Sequence, residues 1–201
     1  MNAKVILDFI QEIGVLKNIP RTGWRFRGIK DAESVADHCY RVSLLSMMLA
    51  DVLRAEDVPL DVEKVMRLAL LHEIAEARIG DVPFPALDYI SESVKEAAEQ
   101  SAVSAMLADF GSLGEQYAEL WKEFEEGTSL EAKLVRAVDK LELMIQVFEY
   151  EKVGYRSLDR FWDNDWNQQS FDAYPQIREI MDVLIEKRAE ELGRCAKKPK
   201  S

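Results

Sequence analysis

The chain reads as an all-α protein, a single helical bundle of about six to eight helices. Three observations predict this. Apolar residues recur at three- and four-residue spacing along most of the chain, as they do on helices with one buried face. No stretch alternates apolar and polar residues in the manner of a half-buried strand. The 201 residues, 48% hydrophobic and 31% charged, suit one compact domain, and neither a repeat nor a linker divides them.

The first helix carries Val5, Ile6, Phe9, Ile10, Ile13 and Leu16 on one face. A second runs from about Ala32 to Ala55, with Asp31 or Ser34 as its cap and Val35, Cys39, Val42, Leu45, Leu49 and Val52 inward. Asp61 opens a third, through Val62, Val65, Met66, Ala69 and Leu70 to Leu71-His72. Its stretch RLALLH is apolar nearly all round, which predicts a central, buried helix stopping near Gly80, before Pro83 and Pro85. A fourth spans Ile90 to about Asp109, and a fifth Gly114 to Glu126, striped by Tyr117, Leu120, Trp121 and Phe124. Ser129 caps a long helix through Tyr150, with Leu134, Val135, Val138, Leu141, Ile145 and Phe148 inward. The connection SLDRFWDNDWNQQSF is expected to be a loop with at most a short helix, its Phe161, Trp162 and Trp166 exposed as a contact surface. A last helix follows Pro175 to Gly193, which makes residues 1–193 one domain and 194–201 a disordered tail.

Charge narrows the function classes. With 26 Lys and Arg against 37 Asp and Glu, the formal balance is −11. That opposes binding to a nucleic acid polymer, whose phosphates require a positive face. No apolar run approaches the ~18 residues of a membrane span. The opening MNAKVILDFIQEIG lacks the apolar core and cleavage site of a secretory signal. Two cysteines, Cys39 and Cys195, make neither a disulfide scaffold nor a CxxC metal pair. A cytoplasmic protein is expected.

Both histidines, His38 and His72, fall on helices expected to be buried. A lone buried imidazole is usually a hydrogen-bonded core residue, but here carboxylates accompany each one. Asp37 precedes His38; Glu73 and Glu76 follow His72, and Glu76, four residues on, shares its helix face. Asp139 interrupts the inward run of the long helix, where a carboxylate is costly unless paired or bound to a metal. Imidazole plus carboxylate suits one divalent ion of the Mn, Co, Fe or Zn type. A ferritin-like di-iron site is excluded, because neither histidine has Glu three residues before it. Two further segments are candidates. Lys17, Arg21, Arg25, Arg27 and Lys30 form an acid-free basic stretch around Trp24, offering bidentate phosphate recognition and an aromatic stacking face. Gly80-Asp81-Val82-Pro83 turns the chain directly after the His72 helix.

The segments PRTGW, ESVADH, RLALLHEIAEARIGD and EAKLVRAVDKLELMIQVFEYE resemble the HD-domain metal-dependent phosphohydrolases, and more particularly the small HD-domain 5′-deoxynucleotidases. The likeness runs from about Leu16 to Glu151, and more thinly through the last helix. It implies an all-helical, dimeric enzyme that removes phosphate from deoxyribonucleoside 5′-monophosphates with one divalent metal (Mn, Co, Fe, Zn or Mg). By match to the family motifs, His38, His72, Glu73 and Asp139 hold the metal and Glu76 is the catalytic glutamate. Asp81 contacts the nucleoside, with Val82 and Pro83 beside it, while Arg21 and Trp24 serve phosphate binding and deoxyribose preference. One departure stands out: the family's His-Asp is His72-Glu73 here, which sets the carboxylate one methylene further from the backbone.

The mechanism expected on this basis is hydrolysis of the 5′-phosphoester. Glu76 relays a proton between water and the leaving oxygen, Arg21 neutralises the phosphate, and Trp24 and Asp81 hold the sugar. Two rivals remain open: an HD-type phosphohydrolase for another phosphoester (cyclic, oligonucleotide or nucleoside triphosphate), and a non-catalytic nucleotide-binding helical protein.

Overall fold

The computed structural model describes residues 2–164 and 170–193. It is helical throughout, with no strand among the described residues beyond an isolated bridge between Pro20 and Ser34. In chain order come α1 (Ala3–Ile13), a 3-10 turn (Gly14–Lys17), α2 (Thr22–Arg25), α3 (Val35–Ala55), α4 (Val62–Leu71) and α5 (Glu76–Ile79). After a 3-10 turn at Phe84–Asp88 follow α6 (Glu92–Leu107), a further one at Ala108–Phe110, α7 (Ser112–Glu126) and α8 (Leu130–Lys152). Two elements close the fold, α9 (Asp159–Trp162) and α10 (Pro175–Leu192).

The starts of the long helices are written into their first residues. Ser34, not Asp31, caps α3: its side chain accepts from Asp37 N–H while Asp37 reaches back to the cap, closing a capping box. Asp61 caps α4 and Ser129 caps α8, their side chains accepting from Lys64 N–H and Ala132 N–H. Pro175 opens α10, where its missing N–H costs nothing.

α8 is the axis around which α3, α4, α7 and α10 pack. Leu134, Val135, Val138, Leu141 and Met144 are wholly buried along it, and each such side chain contributes roughly 1.5–3 kcal/mol of burial. Val42, Leu49 and Leu53 of α3, Val65 and Leu68 of α4 and Ile177 and Met181 of α10 complete that core. A smaller cluster (Ile74, Val103, Met106, Leu107, Trp121) lies under α6 and α7, and Phe9 and Ile13 of α1 lean on it.

The structure departs from the sequence reading in three places. The third helix does not run unbroken to Gly80; it ends at Leu71, and residues 72–75 form turns before α5 begins. Here the bonds close three residues back: Ile74 N–H to Leu71 C=O, Glu76 N–H to Glu73 C=O and Ala77 N–H to Ile74 C=O. The cause is local. His72 Nδ1 lies 2.7 Å from the Ala69 carbonyl, the acceptor that a regular helix reserves for the N–H of residue 73. Leu70, expected to be buried, is exposed, and so are Val52, Ile6 and Ile10 on faces expected to point inward. Trp162 is buried and Phe161 packs against the core, so these two rings do not form an exposed contact surface. It folds in because Arg188 stacks over the Trp162 ring and Arg27 over that of Phe161. Trp166, Cys195 and the tail 194–201 lie outside the described residues.

Candidate metal centre

Three elements bring four ligating side chains to one point. α3 supplies His38 from its second turn, the end of α4 supplies His72 and the tightened turn Glu73, and α8 supplies Asp139. One donor atom from each lies within 4.8 Å of all the others. The Nε2 atoms of the two imidazoles face each other at 3.5 Å. Asp139 Oδ1 is 3.1 Å from His38 Nε2, and Glu73 Oε1 is 3.9 Å from both Nε2 atoms. Asp139 Oδ1 is nonetheless buried without a well-directed hydrogen bond. Two imidazole nitrogens and two carboxylate oxygens converging in this way fit a single divalent ion.

Each imidazole has its other nitrogen engaged, which fixes which edge faces the centre. His72 Nδ1 bonds the Ala69 carbonyl at 2.7 Å. His38 Nδ1 lies 2.5 Å from Glu142 Oε2, and neither of those two side chains has any exposed surface. Sequence reasoning missed Glu142. Its signal was present, since Asp139 and Glu142 stand three apart and therefore on one face of α8.

The tightened turn also regroups the acids. In a 3-10 turn, residues three apart eclipse, so Glu76 aligns with Glu73 rather than with His72. Glu76 Oε2 is buried without a partner. Burial first and the Glu73 charge second push its carboxyl up to about 10. Glu73 goes the other way: burial disfavours its charge, but Arg21, His72 and His38 outweigh that and hold it at about 2. Burial likewise opposes ionisation of Asp139, yet Lys140 and His38 carry it well below the usual carboxylate range. Burial lowers His72, whereas for His38 the hydrogen bonds of Asp139 and Glu142 overcome burial and Arg21 and raise it to about 9.

Of the five basic residues in the Lys17–Lys30 stretch, only Arg21 is paired with the centre, its Nη1 2.7 Å from Glu73 Oε1. Arg25 turns to the Lys30 carbonyl, and Arg27 covers Phe161. The Gly80 turn is joined to this stretch directly. Gly80 adopts φ +75°, open to a residue without Cβ, and sends the chain to Asp81, whose Oδ2 accepts from Thr22 N–H at 2.5 Å. Thr22 Oγ1 donates to the Asp81 carbonyl at 2.8 Å. Val82 and Pro83 follow, half-buried.

Trp24 corrects the expectation of an open stacking face. It is 1% exposed, flanked by Tyr150 and Phe161, and its indole N–H donates to Glu33 Oε1 at 2.8 Å. Glu33 was not foreseen either. Its carbonyl accepts from Arg21 N–H at 2.9 Å, so one residue holds both the arginine backbone and the tryptophan ring.

Comparison with known proteins gives a consistent picture. Residues 13–181 match the family model described as HD domain. The chain is 35% identical to the Danio rerio protein named 5′-deoxynucleotidase HDDC2, over 94% of this chain and 90% of that one. To the Homo sapiens protein of the same name it is 32% identical, over 99% and 94% respectively. Among solved structures, a conserved hypothetical protein of Pyrococcus furiosus superposes with a TM-score of 0.76 at 36% identity, covering 90% of this chain and 98% of the other. The matched span contains every donor of the centre and the three helical elements that carry them, and the chain is thus a member of the HD domain family.

Proposed function

We propose that the protein is a metal-dependent 5′-deoxynucleotidase, hydrolysing deoxyribonucleoside 5′-monophosphates to deoxynucleoside and phosphate. The observation that carries this reading is the convergence of His38, His72, Glu73 and Asp139 within 4.8 Å, with the Arg21 guanidinium against Glu73. Relatives named 5′-deoxynucleotidase that match nearly the whole chain support it. His38, His72, Glu73 and Asp139 would hold one divalent ion (Mn, Co, Fe, Zn or Mg), which when bound supplies an activated water and charge stabilisation at phosphate.

The chain's own groups do the rest. Arg21 binds the phosphate oxygens and orients the ester, a task suited to a planar guanidinium. The water oxygen attacks phosphorus and the bond from phosphorus to the 5′-oxygen breaks. Glu76 gives the departing 5′-oxygen its proton and takes one from the water. Asp81, Val82 and Pro83 form the wall for the sugar. Trp24 acts on the sugar through the Arg21–Thr22 turn that it anchors, not through an open ring face.

A cytoplasmic homodimer goes with this reading. Tyr40, Leu44, Met47, Met48 and Val52 leave an exposed apolar stripe on α3, the spacing of a helix face that pairs with another. Light scattering of the protein and of Met48→Glu tests the dimer. For the activity, phosphate release is measured on deoxyribo- and ribonucleoside monophosphates with Mn²⁺, Co²⁺, Mg²⁺ or EDTA, for the unaltered chain and Glu73→Asp. Metal-dependent release from the deoxy substrates is the expected result. Activity in Glu73→Asp alone would mean that Glu73 disables the centre. Silence in both would turn the reading to another phosphoester or to a binding protein.

A further inference from the structure

The two imidazoles of the centre are mounted differently. His72 leans on a backbone carbonyl of its own helix, a partner that comes with the fold. His38 of α3 leans on a carboxylate of α8, 104 residues away in sequence. That carboxylate is itself held from behind: Arg41 Nε lies 3.2 Å from Glu142 Oε1, and Arg41 Nη1 donates to Gln146 Oε1 at 2.8 Å and Glu149 Oε2 at 2.7 Å. A wholly buried carboxylate is among the costliest groups a fold can carry. Hydrophobic packing between α3 and α8 gives no reason for one, since the neighbouring α8 positions Val138 and Leu141 are apolar and fully buried.

We propose that Glu142, clamped by Arg41, is the positioning residue of the metal centre. Accepting the Nδ1–H of His38 fixes the tautomer that presents Nε2 toward His72, Glu73 and Asp139, and adds negative charge behind that ligand. A carboxylate placed behind a ligating imidazole orients the ring and strengthens it as a donor. Glu142 touches neither substrate nor the reacting atoms; it acts through His38. The inference rests on the metal reading given above and adds to it a residue outside the four donors. It also makes the two histidines unequal, His38 being the ligand with the charged support and His72 the one without.

The test is Co²⁺ binding by calorimetry, together with the visible and hyperfine-shifted proton spectra of the Co²⁺-loaded protein. The unaltered chain, Glu142→Leu, Glu142→Gln and Arg41→Met are compared, and thermal melts of the metal-free forms check folding. Glu142→Leu is expected to weaken Co²⁺ binding about 10- to 100-fold and to lose the slowly exchanging Nδ1–H resonance of His38. Glu142→Gln, which keeps an acceptor for that proton, retains the resonance at a shifted position and binds more tightly than the leucine variant. Arg41→Met weakens binding less than Glu142→Leu does. Should Glu142→Leu not fold, the glutamine and Arg41 variants carry the test through their resonance shifts and affinities. Co²⁺ affinity and a His38 resonance unchanged in the folded variants would overturn the role of Glu142 while leaving the metal centre standing. Failure of the unaltered chain to bind Co²⁺ would overturn the metal reading, and this inference with it.

Discussion

Two buried ionic networks lie along α8, and they are built on opposite principles. Near its C-terminus, Arg188 of α10 meets Glu151 in a bidentate pair at 2.7 and 2.8 Å, donates to Asp159 at 2.7 Å and stacks over Trp162. Each carboxylate of that network accepts directly from the guanidinium. Around Asp139 and Glu142 the acids Glu33, Glu73 and Glu76 crowd two imidazoles and Arg21, and one buried oxygen each of Glu33 and Glu76 has no hydrogen-bond partner. The first network ties α10 to the bundle. The second is over-supplied with negative charge and under-supplied with donors, which is the condition of a site built for a cation. Burial of charge on its own does not distinguish structure from function; the balance of donors and acceptors does.

That contrast predicts opposite outcomes for removing one member of each network. Asp139→Ala should abolish stoichiometric metal binding and lower phosphate release by about 10³-fold or more, while the metal-free protein loses about 1–3 kcal/mol of stability with the Lys140 and His38 contacts that hold this carboxylate. Metal analysis and urea unfolding check both halves. Glu76→Ala should keep the metal and lose turnover by about 10²- to 10⁴-fold; full activity in that variant would remove Glu76 from the mechanism. Arg188→Met should leave KM and kcat unchanged and cost about 3–5 kcal/mol of stability, because it strands a buried Glu151. An activity loss larger than the folded fraction accounts for would break the division between the two networks.

The smallest effect sharpens the comparison at the other end of α8. Burial raises the Glu131 carboxyl, but the Asp61 N–H and Lys64 outweigh it, so its folded value lies below 4.5. Such a group stabilises the fold above its unfolded value and loses that contribution as pH falls through the folded one. Glu131→Gln should therefore unfold about 1 kcal/mol more easily than the unaltered chain at pH 7, and the gap should close in acid. Urea titrations at the two pH values give the result.

Much of this was legible beforehand, for reasons that differ from residue to residue. The helices of α3, α4 and α8 announce themselves by apolar spacing and by Ser34, Asp61 and Ser129 at their starts. Asp139 was legible because an acid on an apolar face demands an explanation. The break at His72 was not, since it arises from a side chain competing for one carbonyl and leaves no periodic trace. Trp24 misled because its neighbours are basic and glycine-rich, while what covers it, Tyr150 and Phe161, comes from distant parts of the chain. Glu142 and Glu33 were hidden in plain acidic surroundings, where only the packing of α3 on α8 separates a buried carboxylate from a solvated one.

The distance along the chain between those partners governs assembly. His38 and Glu142 are 104 residues apart, Arg41 and Gln146 105, and the Glu33 N–H reaches the Tyr150 hydroxyl across 117. Contacts of such separation close large loops and set folding speed. The ligand cage therefore needs long-range closure: the centre exists only once α3 and α8, far apart along the chain, have packed together. A nascent chain must emerge well past α8 before it can hold a metal, and a fragment ending before residue 139 has helices without a centre.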